Sequence, residues 1–252
     1  MTKENIEKAL ADIGMPKTKI IFYDSTDSTN LRAKEYARQT DKKETVIFVA
    51  NHQSAGRGRL GRSFVSNKDA GIYLSILTYP DEKGVDATAI TARTAVALSR
   101  AIDRLCGTDT KIKWVNDIFL RGKKLAGILA EAEMLEDGKI GYLVVGMGIN
   151  VYKNAISDEI SEIATSLESE IGKAPDRSLL VAEIVKEYFS GTEDHLGVYR
   201  EKSLVIGKKV KVIKPTESYD ATVIGINDDF SLQIERDGIP ERLFTGEISI
   251  RI

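Results

Sequence analysis

The chain has 252 residues, 42% hydrophobic and 29% charged, a balance that suits a soluble globular protein with one large domain or one large and one small. Thirty-six basic residues against thirty-eight acidic ones leave a net charge of -2, which excludes a global basic field for DNA, RNA or an anionic membrane, so any anion site is a local cluster. The single cysteine, Cys106, excludes an internal disulfide, the opening MTKENIEKAL has no secretion signal, and no stretch approaches the ~20 apolar residues of a membrane helix. A cytoplasmic location without membrane association is expected.

In chain order, a short polar helix is expected over 4–12 and a strand over 19–24, which enters the hydroxyl-rich stretch DSTDSTN (24–30). A helix over 30–39 follows, with Asp27 or Ser28 as its cap, because a side-chain oxygen accepts the orphan amide hydrogens of a first turn. TVIFVA (45–50) and GIYLSIL (71–77) read as buried strands separated by a segment rich in glycine and arginine. An alanine-rich helix over 86–105 stops at Gly107, the preferred residue for a left-handed helix end. Three strand-like pieces come next, IKWV (112–115), LAGILAEAEML (125–135) and KIGYLVVGMGINV (139–151), with a hairpin turn at Glu136-Asp137-Gly138. Helices are expected near 157–171 and 177–200, the second punctuated by Pro175 and Asp176. Past Arg200 the texture changes to LVIGKKVKVI, SYDATVIGI, FSLQIE and ERLFTGEISIRI, with turns such as Asn227-Asp228-Asp229 and Asp237-Gly238. These short strands predict a small barrel-like domain over 203–252 behind a larger one over 1–202. The mixed order of elements predicts an α+β fold.

Gly56-Arg57-Gly58-Arg59-Leu60-Gly61-Arg62 satisfies G-x-G-x-x-G, but a dinucleotide fingerprint opens a helix, whereas Ser63 to Gly71 contains Asn67 and Asp69 and runs into a strand. Its informative feature is three glycines interleaved with three arginines. Glycine lets backbone approach a ligand, and arginine forks pair with phosphate or carboxylate oxygens, so the loop is suited to wrap an anion; the alternative is a solvated basic turn. A second cluster is Lys113-Trp114-Val115-Asn116-Asp117, followed by Gly122-Lys123-Lys124-Leu125-Ala126-Gly127-Ile128-Leu129. Lys124 begins an apolar strand, and its ammonium either points into a cleft or is a solvated edge charge. Asn116-Asp117 also reads as a turn, and Trp114 as core. Ser28-Thr29-Asn30 offers groups for a polar, uncharged ligand head such as a urea, or for a helix cap. Gly146-Met147-Gly148-Ile149-Asn150 ends a strand with small residues, which suits a bulge or a close ligand approach.

In this order, DSTN, QSAGRGRLGR, KWVND, KLAGIL, GMGINV and a terminal GEISIR resemble the biotin protein ligases over roughly residues 22 to 252. The resemblance implies a catalytic domain like that of class II aminoacyl-tRNA synthetases, with a mixed sheet, followed by a small SH3-like barrel. It implies activation of biotin by ATP and transfer to a lysine of a biotin carboxyl carrier protein. By the same resemblance Ser28, Thr29 and Gln53 bind the ureido ring with help from the backbone near Arg57, and Asn30, Gly56, Gly58 and Gly148 complete that site. Arg59 and Lys124 hold the biotin carboxylate and the α-phosphate, Gly127 and Leu129 wall the pocket, and Arg62, Phe64, Lys113, Asn116 and Asn150 serve the nucleotide. Asp117 is the candidate to orient or accept a proton of the acceptor lysine, on its position alone. The chain departs from the family at Val115, where proline is common, and at Phe64, where tryptophan is usual.

Mg2+ is expected to arrive with ATP, since no acid cluster forms an all-protein metal cage. Lipoate ligase is the enzymatic alternative and a non-catalytic biotin sensor the other; GRGRLGR and the terminal barrel favour biotin, and retention of Lys124 and the arginines favours catalysis. Larger family members repress transcription through an N-terminal winged helix, but only about twenty residues precede the first core strand here, so no sequence-specific DNA binding is expected. Family members are monomers or pair through a sheet edge, which leaves a homodimer as an allowed assembly.

Overall fold

In the computed structural model, which describes residues 1–79, 86–136, 139–190, 194–214, 217–244 and 247–250, strands between Lys19 and Asn150 build one sheet and strands between Lys209 and Ile250 build another, with three α-helices between them in the chain. Helix α1 (Lys3–Asp12) leads to β1 (Lys19–Tyr23), α2 (Thr29–Gln39), β2 (Val46–Ala50), β3 (Gly71–Thr78) and α3 (Ala87–Cys106). Four strands follow, β4 (Lys111–Lys113), β5 (Asp117–Leu120), β6 (Lys123–Met134) and β7 (Ile140–Asn150), then α4 (Leu167–Ile171), α5 (Arg177–Phe189) and α6 (His195–Glu201). The seven strands are ordered β1-β2-β3-β7-β6-β5-β4, with β1 and β2 parallel and every other pair antiparallel. The fold is α+β with a mixed sheet, as the order of elements predicts.

Successive strand residues point to opposite faces, and both faces are covered over the middle of the sheet. Ile47, Val49, Ile72, Leu74, Ile76, Val145 and Met147 join the large core with α1, α3 and α5. Val46, Phe48, Leu77 and Val144 point the other way, against Ala33 of α2. Hence β2 is buried at every position, and its sequence reads as an unbroken apolar run.

Local chemistry sets the helix ends. Asp86 accepts from the Thr88 and Ala89 amides, and α3 stops at Gly107 in the left-handed region (φ 65°), as expected. Ser28 occupies the cap position of α2 but makes no side-chain cap bond; Asp27 takes the Ser28 amide at 2.6 Å, and Gln53 Oε1 takes the Thr29 amide at 2.8 Å. The side chains of Ser28 and Asp27 therefore leave that first helical amide to a residue far along the chain.

Three local expectations are corrected. The IKWV strand ends at Lys113, the Trp114-Val115 peptide is cis, and Asn116-Asp117 leads into the short strand β5, which turns into β6 through Arg121 (φ 48°) and Gly122 (φ 84°). A four-residue strand carries too little periodicity to be read from sequence. Segment 157–171 is not one helix: single turns at Lys153–Ala155 and Asp158–Ile160 precede an extended piece, because the Lys124 amide and carbonyl pair with Ile163 and Thr165 at 2.9 Å each. Segment 177–200 divides into α5 and α6, the latter capped by Asp194. The Asp137-Gly138 part of the expected hairpin turn lies outside the described residues, as do Gly246 and Arg251 of GEISIR.

The second sheet is antiparallel, ordered β11 (Ile239–Leu243), β10 (Leu232–Arg236), β9 (Ser218–Ile226), β8 (Lys209–Ile213) and β12 (Glu247–Ile250). Asp237 (φ 51°) and Gly238 (φ 78°) form the β10–β11 turn with the paired positive angles that Asp-Gly favours. A single hydrophobic cluster runs through both sheets. Trp114 Nε1 donates to the Phe230 carbonyl at 3.0 Å, and the Tyr199 hydroxyl donates to the Val115 carbonyl at 3.2 Å. Residues 202 and 204 pair with Ile112, which covers the β4 edge.

Candidate active site

A cleft of about 970 Å³, counting its open mouth, lies on the α2 face of the large sheet, just past the helix's N-terminal end. Its floor follows from register. In β7, Val144, Gly146 and Gly148 point to one face; Val144 packs under α2, whereas the two glycines leave the sheet surface bare. Gly146 pairs with Ser75 on one side and Leu129 on the other, and Gly148 with Tyr73 and Gly127. A β-carbon on Gly146 would lie 2.1 Å from Asn30 Oδ1, and one on Gly148 would lie 2.6 Å from the Phe64 ring. Both glycines are required for close approach, not for turning.

At one end of the floor stand Ser28, Thr29 and Asn30, all nearly fully buried. The buried Ser75 hydroxyl lies 2.7 Å from Thr29 Oγ1 and 2.6 Å from Asn30 Oδ1, Thr29 Oγ1 donates to Gln53 Oε1 at 3.1 Å, and Asn30 Nδ2 donates to the Leu129 carbonyl and to Glu131 Oε2. Gln53 also donates to Ser66 Oγ at 3.0 Å, joining the start of α2 to the end of the arginine-glycine segment. A hydroxyl-and-amide pocket of this kind recognises a neutral polar head by directional bonds. Gly146→Ala is expected to dislodge Asn30 from its buried partners and to cost about 1–3 kcal/mol of stability. Urea denaturation would check this.

The segment over 56–64 folds back on itself as a small hairpin. The Gly58 amide donates to the Arg62 carbonyl at 2.7 Å and the Phe64 amide to the Gly56 carbonyl at 2.9 Å, with Leu60 (φ 55°) and Gly61 (φ 75°) at the tip. Arg57, Gly58, Arg59, Leu60, Arg62, Ser63 and Phe64 line the cleft. Arg59 Nη1 reaches Asn116 Oδ1 at 3.2 Å, and Asn116 is itself pinned to β6 through its Nδ2 on the Ile128 carbonyl at 2.9 Å.

Across from this loop, the Lys124 ammonium stands 2.7 Å from Asp117 Oδ1, in charge contact without hydrogen-bond alignment. It would lie 3.4 Å from a β-carbon at Gly127, so the bare glycine gives it room over the floor. Since the Lys124 backbone is paired with 163–165, the residue is not at an open strand edge, although its side chain remains 36% exposed. Lys113 also lines the cleft, with its ammonium 5.7 Å from the Phe119 ring centre. The cleft thus has a neutral polar end and a cationic end, which fits an elongated acid that meets a phosphate at its carboxylate.

Two of the expected site residues do not line the cleft. Gly56 sits where the loop strands cross, its absent β-carbon 2.3 Å from the Phe64 carbonyl; the Asn150 side chain is buried, with Nδ2 on the Thr165 carbonyl at 3.1 Å. Leu60, Ser63, Trp114, Ile128 and Ile248 line it without having been assigned to the site, and Gly146 and Met147 line it in keeping with the close-approach reading of their segment. Trp114 is core as well, 4% exposed, while Ile248 arrives from the second sheet. The period-two spacing of Gly146 and Gly148 was a usable signal; Ile248 lies in the GEISIR motif but nothing in the sequence placed it at the cleft, and nothing marked Ser75. Among the described residues no group of three or more His, Cys, Asp or Glu is placed to hold a metal ion, and no helix is long and apolar enough to cross a membrane.

The biotin/lipoate A/B protein ligase family model matches residues 22–150. The bifunctional ligase/repressor BirA of Bacillus subtilis is 30% identical over 241 residues, covering 92% of this chain and 74% of that protein. The biotin–[acetyl-CoA-carboxylase] ligase of Mycobacterium tuberculosis is 32% identical over 219 residues, or 82% of this chain and 78% of its own. Among solved structures, biotin protein ligase from Aquifex aeolicus in complex with biotin and ATP superposes with a TM-score of 0.78 at 28% identity, covering 92% of this chain and 98% of that one. The matched segment contains the hairpin, the hydroxyl-and-amide pocket, Lys124 and the glycine floor, and with relatives alike over most of their length it establishes that the chain belongs to the biotin/lipoate A/B protein ligase family.

Proposed function

We propose that the chain activates biotin with ATP as biotinyl-5′-adenylate and transfers the acyl group to a lysine of a biotin carboxyl carrier protein domain. The observation that carries this reading is the convergence of Lys124 and Arg59 at one end of a cleft whose other end is lined by Thr29, Asn30 and Gln53. Ser28, Thr29, Asn30 and Gln53 receive the ureido head, and Gly127, Leu129 and Gly148 form the floor and wall along the chain of the acid. Arg62, Phe64, Lys113 and Asn116 receive the nucleotide.

Attack of a carboxylate on a phosphate brings two anions together. Arg59 and Lys124, held in place by Asn116 and Asp117, offset that repulsion and the charge that develops on phosphorus, with little reorganisation during the reaction. Asp117 is the one carboxylate lining the cleft among the described residues, so magnesium would be held by the triphosphate of ATP, where it would shield that charge and help pyrophosphate leave. In the second step Asp117 orients the incoming amine and takes its proton.

Thr29→Val tests the neutral end. Gln53 Oε1 keeps the Thr29 amide and Ser75 keeps Asn30, so the fold is spared. Biotin affinity is expected to fall by about 1 kcal/mol, roughly fivefold, for one lost bond to a neutral group. Equal affinity by isothermal titration would make the hydroxyl structural.

The direct test is to incubate the protein with ATP, magnesium and biotin and to look for biotinyl adenylate by mass spectrometry, with lipoate in parallel. Lipoyl adenylate in place of the biotin product would overturn the substrate assignment. The reading also takes 1–202 as the catalytic domain and 203–252 as an SH3-like barrel, in a protein of the cytoplasm. Ile248 and the Trp114–Phe230 bond support a barrel that takes part in shaping the cleft.

A further inference from the structure

Glu131 lies on β6 two residues beyond Leu129, behind the cleft wall, and none of the chemistry above uses it. Its carboxylate gathers three elements. Oε2 accepts from Asn30 Nδ2 at 2.8 Å, Oε1 accepts from Lys34 Nζ at 2.6 Å, and Arg57 Nη1 stands 3.4 Å from Oε1. The side chain is 18% exposed. Burial by itself would push this carboxyl up, but the bonds from Lys34 and Asn30 and the charges of Lys34 and Arg57 outweigh it and hold the group below the usual carboxylate range. It is ionised at neutral pH.

The two ends of this arrangement belong to different parts of the site. Asn30 stands on the cleft floor, fixed by Ser75 and the Leu129 carbonyl. Arg57 is carried by the arginine-glycine hairpin, which its Gly58–Arg62 and Phe64–Gly56 backbone bonds close on itself, and its guanidinium reaches out of the hairpin to Glu131 on β6. One half-buried carboxylate therefore spans from the floor amide to the hairpin's guanidinium.

We propose that Glu131 is a positioning residue that tethers the arginine-glycine hairpin to the cleft floor: through Arg57 it holds the arm over the reacting groups, and through Asn30 it links the arm's position to occupancy of the polar end. The tether is a property of the free protein; its catalytic consequence rests on the biotin reading. Lys34 shares the carboxylate from α2 but touches neither the arm nor the floor, so it serves as the control.

The experiment follows amide hydrogen exchange across 54–66 in the protein without substrates. Glu131→Gln keeps the shape and an acceptor for Asn30 but removes the charge, and it is expected to raise exchange in this segment about two- to fivefold, the scale of a partly exposed ion pair. Arg57→Gln should do the same, and the double variant should add nothing further, because both remove one interaction. Lys34→Gln should leave the segment's protection as in the unaltered protein. With ATP and biotin, Glu131→Gln should also leak more adenylate as hydrolysis product per acyl group transferred. Unchanged exchange in Glu131→Gln, additive effects of the Glu131 and Arg57 changes, or equal loosening by Lys34→Gln would each overturn the tether. Unaltered protein that makes no biotinyl adenylate would instead sink the substrate reading, while the exchange results still decide the tether.

Discussion

Lys124→Ala is expected to slow adenylate formation by about two to three orders of magnitude with the fold intact, the size of effect seen when one preorganised charge is removed from a developing anion. The geometry explains why the effect falls on rate. Lys124 has its backbone tied to 163–165 and its ammonium 2.7 Å from Asp117, with Gly127 leaving space beside it, so little of the charge's ordering has to occur during the reaction. The substitution also strips Asp117 of its counterion in a part-buried position, which will cost some stability on its own account. Lys124→Ala combined with Asp117→Asn separates the two effects, since the pair should recover the melting temperature of the unaltered protein and not its rate. Pyrophosphate exchange and a thermal melt on the two variants provide the readout. A rate within a few-fold of normal would return Lys124 to the role of a structural ion-pair partner.

For Arg59→Gly the expected result is escape of the reactive intermediate. Arg59 is the side chain that joins the hairpin tip to the KWVND segment, through Asn116 Oδ1, and Asn116 is held in turn by β6. Arg57, Arg59 and Arg62 repel one another along a segment in which glycine offers little resistance to motion, and the tip is already in the left-handed region at Leu60, whose side chain is 71% exposed. An anion between the arginines offsets their mutual repulsion, so binding of biotin or its adenylate should close the hairpin and shield the mixed anhydride from water. Removing Arg59 should then release adenylate early and raise both its hydrolysis and the labelling of bystander lysines well above the unaltered protein. Hydrogen exchange across 54–66 should fall on biotin binding in the unaltered chain. Identical protection with and without biotin, together with no rise in stray labelling by the variant, would leave the hairpin a rigid anion cradle.

Much of this site could be read from residue types in order along the chain, because local chemistry dictates it. Alternating glycine and arginine has few other uses, Gly107 ends a helix for a backbone reason, and Asp237-Gly238 makes a hairpin turn for another. The long periodic elements α3, β6 and β7 were legible since each carries enough residues to show its period. The weak points were short or jointly determined: β5 has four residues, and the chain over 157–171 gives up helix to satisfy the β6 edge at Lys124.

What only the tertiary structure decided is which side chains meet. Asn30 finds Ser75 across 45 residues and Glu131 across 101, and Gly146 owes its bareness to the Asn30 side chain that fills the space above it. Sequence shows the period-two spacing of Gly146 and Gly148 but not the register that sets them against Ser75, Leu129, Tyr73 and Gly127. It likewise shows Gly56 and Asn150 as small or polar residues in the right motifs, not that one serves a backbone crossing and the other a buried bond to Thr165. Register and strand order are fixed by burying both faces of the sheet at once, a property of the whole chain that no single segment contains.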